Sequence, residues 1–133
     1  MIKARMRKAQ RLLDVQQDLQ RLEEERIAGL KRRQAELAAL QEETIGALGD
    51  DGGPQGLFIS VIVKRLKALA EEALRVDEDL QRRSRALRAL ATRTKYAERL
   101  VRNYEQQHDK VVAERDLMDV IERALRIDDA SLP

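Results

Sequence analysis

His108, with Asp109 beside it, and the acid pair Asp50-Asp51 are the residues of this chain whose types could do chemistry. An imidazole next to a carboxylate is the minimum for acid–base catalysis or metal ligation. His108 is the only histidine, and no second cluster of ligand-type residues accompanies it. There is no cysteine, which removes thiolate nucleophiles, thiolate metal sites and disulfides. No Gly-rich phosphate loop and no Ser–His–acid set on a definable pocket is present. Asp50 and Asp51 could chelate a cation at the tip of a hairpin, but Asp and Gly are also what turn geometry selects. The expectation is a non-enzymatic chain with no metal, no cofactor and no small-molecule substrate.

The elements that would position these residues are set by two signals. The first is punctuation. Gly49-Asp50-Asp51-Gly52-Gly53-Pro54-Gln55-Gly56 packs four glycines and a proline into one stretch, through which no helix continues. The second is composition. Charged residues make up 38% of the chain and aromatics 2%, namely Phe58, Tyr96 and Tyr104. An aromatic-poor chain rich in Ala, Glu, Lys, Arg and Leu builds long helices rather than a compact core. The fold class expected is therefore all-α: two long antiparallel helices forming a coiled-coil hairpin, the second helix the longer. A helix is expected over about 2–48, a turn over 49–56, a second helix over about 57–127, and a short C-terminal tail.

The second arm carries the clearer repeat. Alternating steps of three and four from Ile59 reach Ile62, Leu66, Leu69, Ala73, Val76, Leu80, Arg83, Leu87, Leu90, Thr94, Ala97, Val101, Tyr104, His108 and Val111, and continue through Arg115, Met118, Glu122 and Leu125. A 3–4 repeat this long is a coiled-coil seam. In the first arm, Leu12, Val15, Leu19 and Leu22 keep the step, and a five-residue jump leads to Ile27, Leu30, Leu37 and Leu40. The jump predicts a local register adjustment. Leu57–Val63 is rich in β-branched residues and looks strand-like locally, yet the seam runs through it in phase, which predicts helix.

Charge is uneven along the chain. Lys3, Arg5, Arg7, Lys8 and Arg11 precede the first acid, Asp14. Over 82–102, Arg82, Arg83, Arg85, Arg88, Arg93, Lys95, Arg99 and Arg102 face one acid, Glu98. A hairpin folded about residue 52 or 53 brings these stretches together at its open end, where an acidic partner surface could bind. The same fold ends arm one opposite about Asn103, leaving Val111, Leu117, Met118, Ile121 and Leu125 on an uncovered overhang, for a partner or a second copy to cover. Nucleic acid is disfavoured as a partner, because no aromatics interleave the basic residues for base stacking. No apolar stretch follows the basic N-terminus and none approaches a membrane span, so a cytoplasmic location is expected.

The pattern resembles the flagellar FliJ and type III secretion YscO family. The resemblance covers nearly the whole chain: a charged first helix, a short break, an aliphatic stripe opening the second helix, and a longer second helix. Ile59-Ser60-Val61-Ile62-Val63-Lys64-Arg65-Leu66-Lys67-Ala68-Leu69 is similar to the family's stripe, and Lys95-Tyr96-Ala97-Glu98-Arg99-Leu100 reads like a family segment. This chain has aliphatics where some members carry Phe or Tyr. The resemblance implies a stalk whose terminal ends enter the ring of the export ATPase, peripheral to a membrane-bound export apparatus. It implies that a stripe of Phe58, Ile59, Ile62, Leu66 and Leu69 faces the export gate, and that export chaperones also bind. Two readings compete: a self-associating structural coiled coil, and a hairpin transcription-type factor with an acidic tip.

Overall fold

A computed structural model describes the backbone of residues 1–50 and 56–131 and the side chains of 1–49 and 58–129. Two helices make up the fold: α1, Ile2–Asp50, and α2, Gly56–Ser131. They pack against each other as an all-α hairpin, α2 being the longer at 76 residues against 49. The strand-like segment opening α2 is helical. Of its described side chains, 58–63, only Ile62 is buried, so the helix here continues that of the seam behind it rather than resting on burial of its own β-branched residues. The turn, with Asp51 and the side chain of Asp50, and the last two residues lie outside the described residues.

The packing divides into two compact units, one of Met1–Asp18 with Thr92–Pro133 and one of Leu19–Ala91. In the second unit the core is Leu37, Leu69 and Val76, with Leu30, Leu40 and Ala73 packed around it. Leu37 has no exposed surface at all. Buried here too is a charge, Glu23, only 8% exposed. Its carboxylate accepts a hydrogen bond from Arg83 of α2 at 3.3 Å, and Arg26 lies 3.7 Å away. Arg33 donates two hydrogen bonds to Glu72 Oε1, at 2.9 and 2.7 Å, and one to Glu36. The bonds to Glu72 and then Glu36 raise the pKa of Arg33 above its ordinary value. Gln34 donates to Asp77 at 2.7 Å, and the Thr44 hydroxyl to the Leu40 carbonyl at 2.6 Å.

The seam of α2 follows the expected positions in its middle; Ile59 before it and Arg115, Met118, Glu122 and Leu125 beyond it are exposed. From Ile62 through Leu66, Leu69, Ala73, Val76, Leu80, Arg83, Leu87, Leu90, Thr94, Ala97, Val101, Tyr104 and His108 to Val111, each is buried or half-buried. The expected seam of α1 is one residue out of place in its first half. Leu12, Val15, Leu19 and Leu22 are exposed. The buried or half-buried positions are Ile2, Met6, Ala9, Leu13, Gln16, Gln20, Glu23, Ile27 and Leu30. These fall on an unbroken alternation of four and three, so no register adjustment is needed. Polar side chains, Gln16, Gln20 and Glu23, occupy the middle of this seam, and the Glu23 carboxylate is met there by Arg83 of α2.

Gly29 and Gly46 both lie within α1. A methyl group at position 46 would meet nothing within 4 Å. Gly46→Ala is therefore expected to stabilise the protein by about 0.5–1 kcal/mol, through helix propensity and a less disordered unfolded chain. A rise in the urea midpoint at unchanged slope is the check.

Candidate partner-binding end

The unit formed by Met1–Asp18 and Thr92–Pro133 holds most of the residues singled out for binding. Its core is small: Ala9 and Leu13 of α1 against Ala97 and Val101 of α2, with Leu100 and Tyr104 packed beside them. Two alanines among four core residues let the helix backbones approach closely and leave little apolar area to bury. The basic side chains ring this core. Lys3, Arg5, Arg7, Lys8 and Arg11 on α1, and Arg93, Lys95, Arg99 and Arg102 on α2, are all exposed. Nine cations thus stand in the stretches 1–11 and 93–102 with one acid, Glu98. Gln10 donates to Asp14 at 3.1 Å, the first acid on α1.

The basic zone is smaller than the sequence suggests. Arg82, Arg83, Arg85 and Arg88 belong to the other unit. There Arg83 is spent on buried Glu23, and Arg82 pairs with Asp79 one turn away. Asp79 and Arg83 stand four residues apart on α2, but Arg83 turns instead to the buried Glu23 carboxylate across the hairpin.

The overhang also begins later than expected. Met1, Ile2 and Lys3 line a shallow groove with His108, Val111, Val112 and Arg115, so α1 reaches well past Asn103. The offset is not uniform: Arg33 meets Glu72 and Glu23 meets Arg83, as a fold centred on 52 or 53 gives, whereas Gln34 meets Asp77 and Ile2 lies beside His108, five or six residues further along α2. Val111 is consequently half-buried, while all of 112–129 is exposed. Leu117, Met118, Ile121 and Leu125 are bare, with Leu117 60% exposed. This stretch of α2 is about 27 Å of helix at 1.5 Å per residue.

A second shallow groove is lined by Leu12, Gln16, Thr92, Arg93 and Tyr96. It is nearly all apolar in character, and Tyr96 is 65% exposed above it. The Gln16 carbonyl oxygen is buried there with no hydrogen-bond partner. The sequence carries a signal for this outward face that the expected seam absorbed: Leu12 and Leu13 are adjacent, and one of the two had to point away.

In the other unit, the stripe opening α2 splits by face. Ile62 and Leu69 are buried and Leu66 half-buried, whereas Phe58, Ile59, Val61 and Val63 are exposed. Only the latter group presents apolar surface outward. Among the described residues no group of three or more His, Cys, Asp or Glu is placed to hold a metal ion, and no helix is long and apolar enough to cross a membrane. His108 is half-buried beside the start of α1, in the first groove. No protein-family model, curated protein or solved structure matches the chain.

Proposed function

We propose that this chain is a non-enzymatic coiled-coil binding protein, a component of a flagellar or type III export apparatus that contacts the export ATPase and the export gate. The observation that carries the proposal is the end formed by the two termini. There a cationic surface of nine side chains sits on a minimal core, and one helix runs on bare beyond it. A surface of that kind recruits an acidic partner by long-range attraction and holds it with helix contacts. The resemblance of the two-helix pattern to export stalk proteins supports naming the partner. Lys3, Arg5, Arg7, Lys8, Arg11, Arg99 and Arg102 are the residues assigned to the ATPase ring. A gate contact falls to Phe58, Ile59, Val61 and Val63, which face outward, and not to Ile62 or Leu69, which hold the hairpin together. The chain would act in the cytoplasm, peripheral to the membrane-bound apparatus, with export chaperones as further partners.

Reversal of Arg7, Arg11, Arg99 and Arg102 to Glu is the test. All four are exposed, so the helical signal and melting curve should be retained. Binding to the purified export ATPase ring should weaken by about tenfold or more, about 1.4 kcal/mol or more. Wild-type binding should weaken with added salt over the range in which the Debye length shrinks below about 10 Å. Equal affinity of wild type and variant at low salt would remove the proposal.

A further inference from the structure

Of the apolar residues of the overhang only Met118 and Leu125 continue the hairpin seam. Extended past Val111, that seam reaches Arg115, Met118, Glu122 and Leu125, two of them charged. A second stripe runs through Ala113, Leu117, Val120, Ala124 and Ile127, in steps of four and three with no polar member. Ile121, Leu125 and Met118 widen it on one side. Leu117, Val120, Ile121 and Ile127 are all exposed. On a helix of 3.6 residues per turn this face is turned from the hairpin seam by roughly a third of a turn. It is built for a helix that approaches α2 from a different side than α1 does.

Charge identifies that helix. Residues 112–129 hold six acids, Glu114, Asp116, Asp119, Glu122, Asp128 and Asp129, against Arg115, Arg123 and Arg126. The overhang is thus acidic, and the adjoining end of the same unit is strongly basic. Followed back along α2, the face that carries the stripe presents Arg93, Tyr96, Arg99 and Asn103, all exposed. One surface therefore has an acidic apolar half and a basic half in series. Two such surfaces placed antiparallel match halves of opposite sign, the self-complementary arrangement that a two-fold axis requires.

We propose that a second copy of this chain covers the overhang, α2 packing antiparallel on α2 about a two-fold axis near Val112. Ala124 then lies beside Leu100 of the second copy and Glu114 beside its Lys110. Asp128 lies beside Tyr96 of the second copy, with Arg93 and Arg99 one turn to either side. The overlap runs from about residue 95 to 129 on each copy, about five heptads, well beyond the roughly 12–15 residues at which a lone helix is marginal. A partner that takes the overhang must displace the second copy. The inference needs nothing from the export reading, since it concerns the chain alone.

The experiment is sedimentation equilibrium of the full chain at micromolar concentration, with no partner present. The expected mass is twice the 15.3 kDa of one chain. Leu117→Asp should reduce it to the single-chain value. Because Leu117 is exposed in the single chain, the hairpin should keep its melting transition. The native chain lacks cysteine, so single cysteines report position cleanly. A short bis-maleimide should link Ala113→Cys into a covalent dimer and leave Glu25→Cys unlinked. Single-chain mass throughout that range overturns the proposal. So does a dimer that Leu117→Asp leaves intact, or a Glu25→Cys chain that links as well as the Ala113→Cys chain. Reversal of Arg7 and Arg11 alone, both on α1, tests the ATPase ring without touching the proposed α2–α2 surface, which separates the two failures.

Discussion

Leu37→Ala is expected to lower the stability of the protein by about 2–5 kcal/mol, the range for truncating a buried leucine. Leu37 is the one large side chain of the described residues with no exposed surface, and it touches the Leu69 and Val76 side of the core directly. A two-helix protein has no second layer that could close over the cavity, which argues for the upper half of that range. Leu22→Ala is the informative comparison. Leu22 lies on the outward stripe of α1 and is 44% exposed, so its loss should cost about 1 kcal/mol or less. Urea denaturation followed by helical circular dichroism measures both. Equal costs would mean that Leu22, not its neighbour Glu23, points into the hairpin.

A second large effect is expected at Glu23, with an asymmetry that distinguishes the pair from a surface contact. Arg83→Ala removes the cation from α2 and leaves a carboxylate that is 8% exposed with Arg26 at 3.7 Å as its remaining partner. Breaking a fully buried pair costs about 3–5 kcal/mol. The Arg83 side chain is 34% exposed, so solvent screening reduces the expected loss to about 1–3 kcal/mol. Glu23→Leu removes the charge that had to be desolvated and puts an apolar group in the seam. It is expected to be neutral or stabilising even though the same contact is lost. The same denaturation measurement decides. A destabilised Glu23→Leu chain, with Arg83→Ala neutral, would show that Glu23 is solvated and the pair incidental.

The two-helix hairpin was legible in the sequence because its signals were redundant. The glycine-rich break and a phased seam from Ile62 to Val111, mostly Ile, Leu, Ala and Val, pointed to the same fold. The first half of α1 was less legible for a physical reason. Leucines at 12, 19 and 22 with Val15 advertise a seam more loudly than Gln16, Gln20 and Glu23, yet burial follows the stripe that is continuous with Ile2, Ala9, Leu13 and Ile27. A polar side chain can sit in a two-helix seam when a partner across it meets its charge, as Arg83 meets Glu23, a pairing that composition does not display. The binding end was partly legible. The clustered cations of the N-terminal segment could be read directly, but their separation from Arg82 and Arg83 depends on partners, Asp79 and Glu23, that only the folded chain supplies. The extent of the overhang was misjudged because Ile2 lies beside His108 and Val111 rather than opposite Asn103.

The cross-hairpin ion pairs also restrict sliding. Move α2 by one heptad in one direction and Arg33 meets Arg65 where Glu72 had been, while Glu23 meets Val76 in place of Arg83. Move it the other way and Arg33 finds Asp79, but Glu23 now faces Leu90. Each slip strands the buried carboxylate against an aliphatic side chain, and one of them also opposes like charges. An aliphatic seam alone would tolerate such slips, since Leu, Val and Ala exchange places with little loss. This hairpin is thus keyed to a single alignment. Sliding of one helix past the other by a heptad is therefore disfavoured over this stretch.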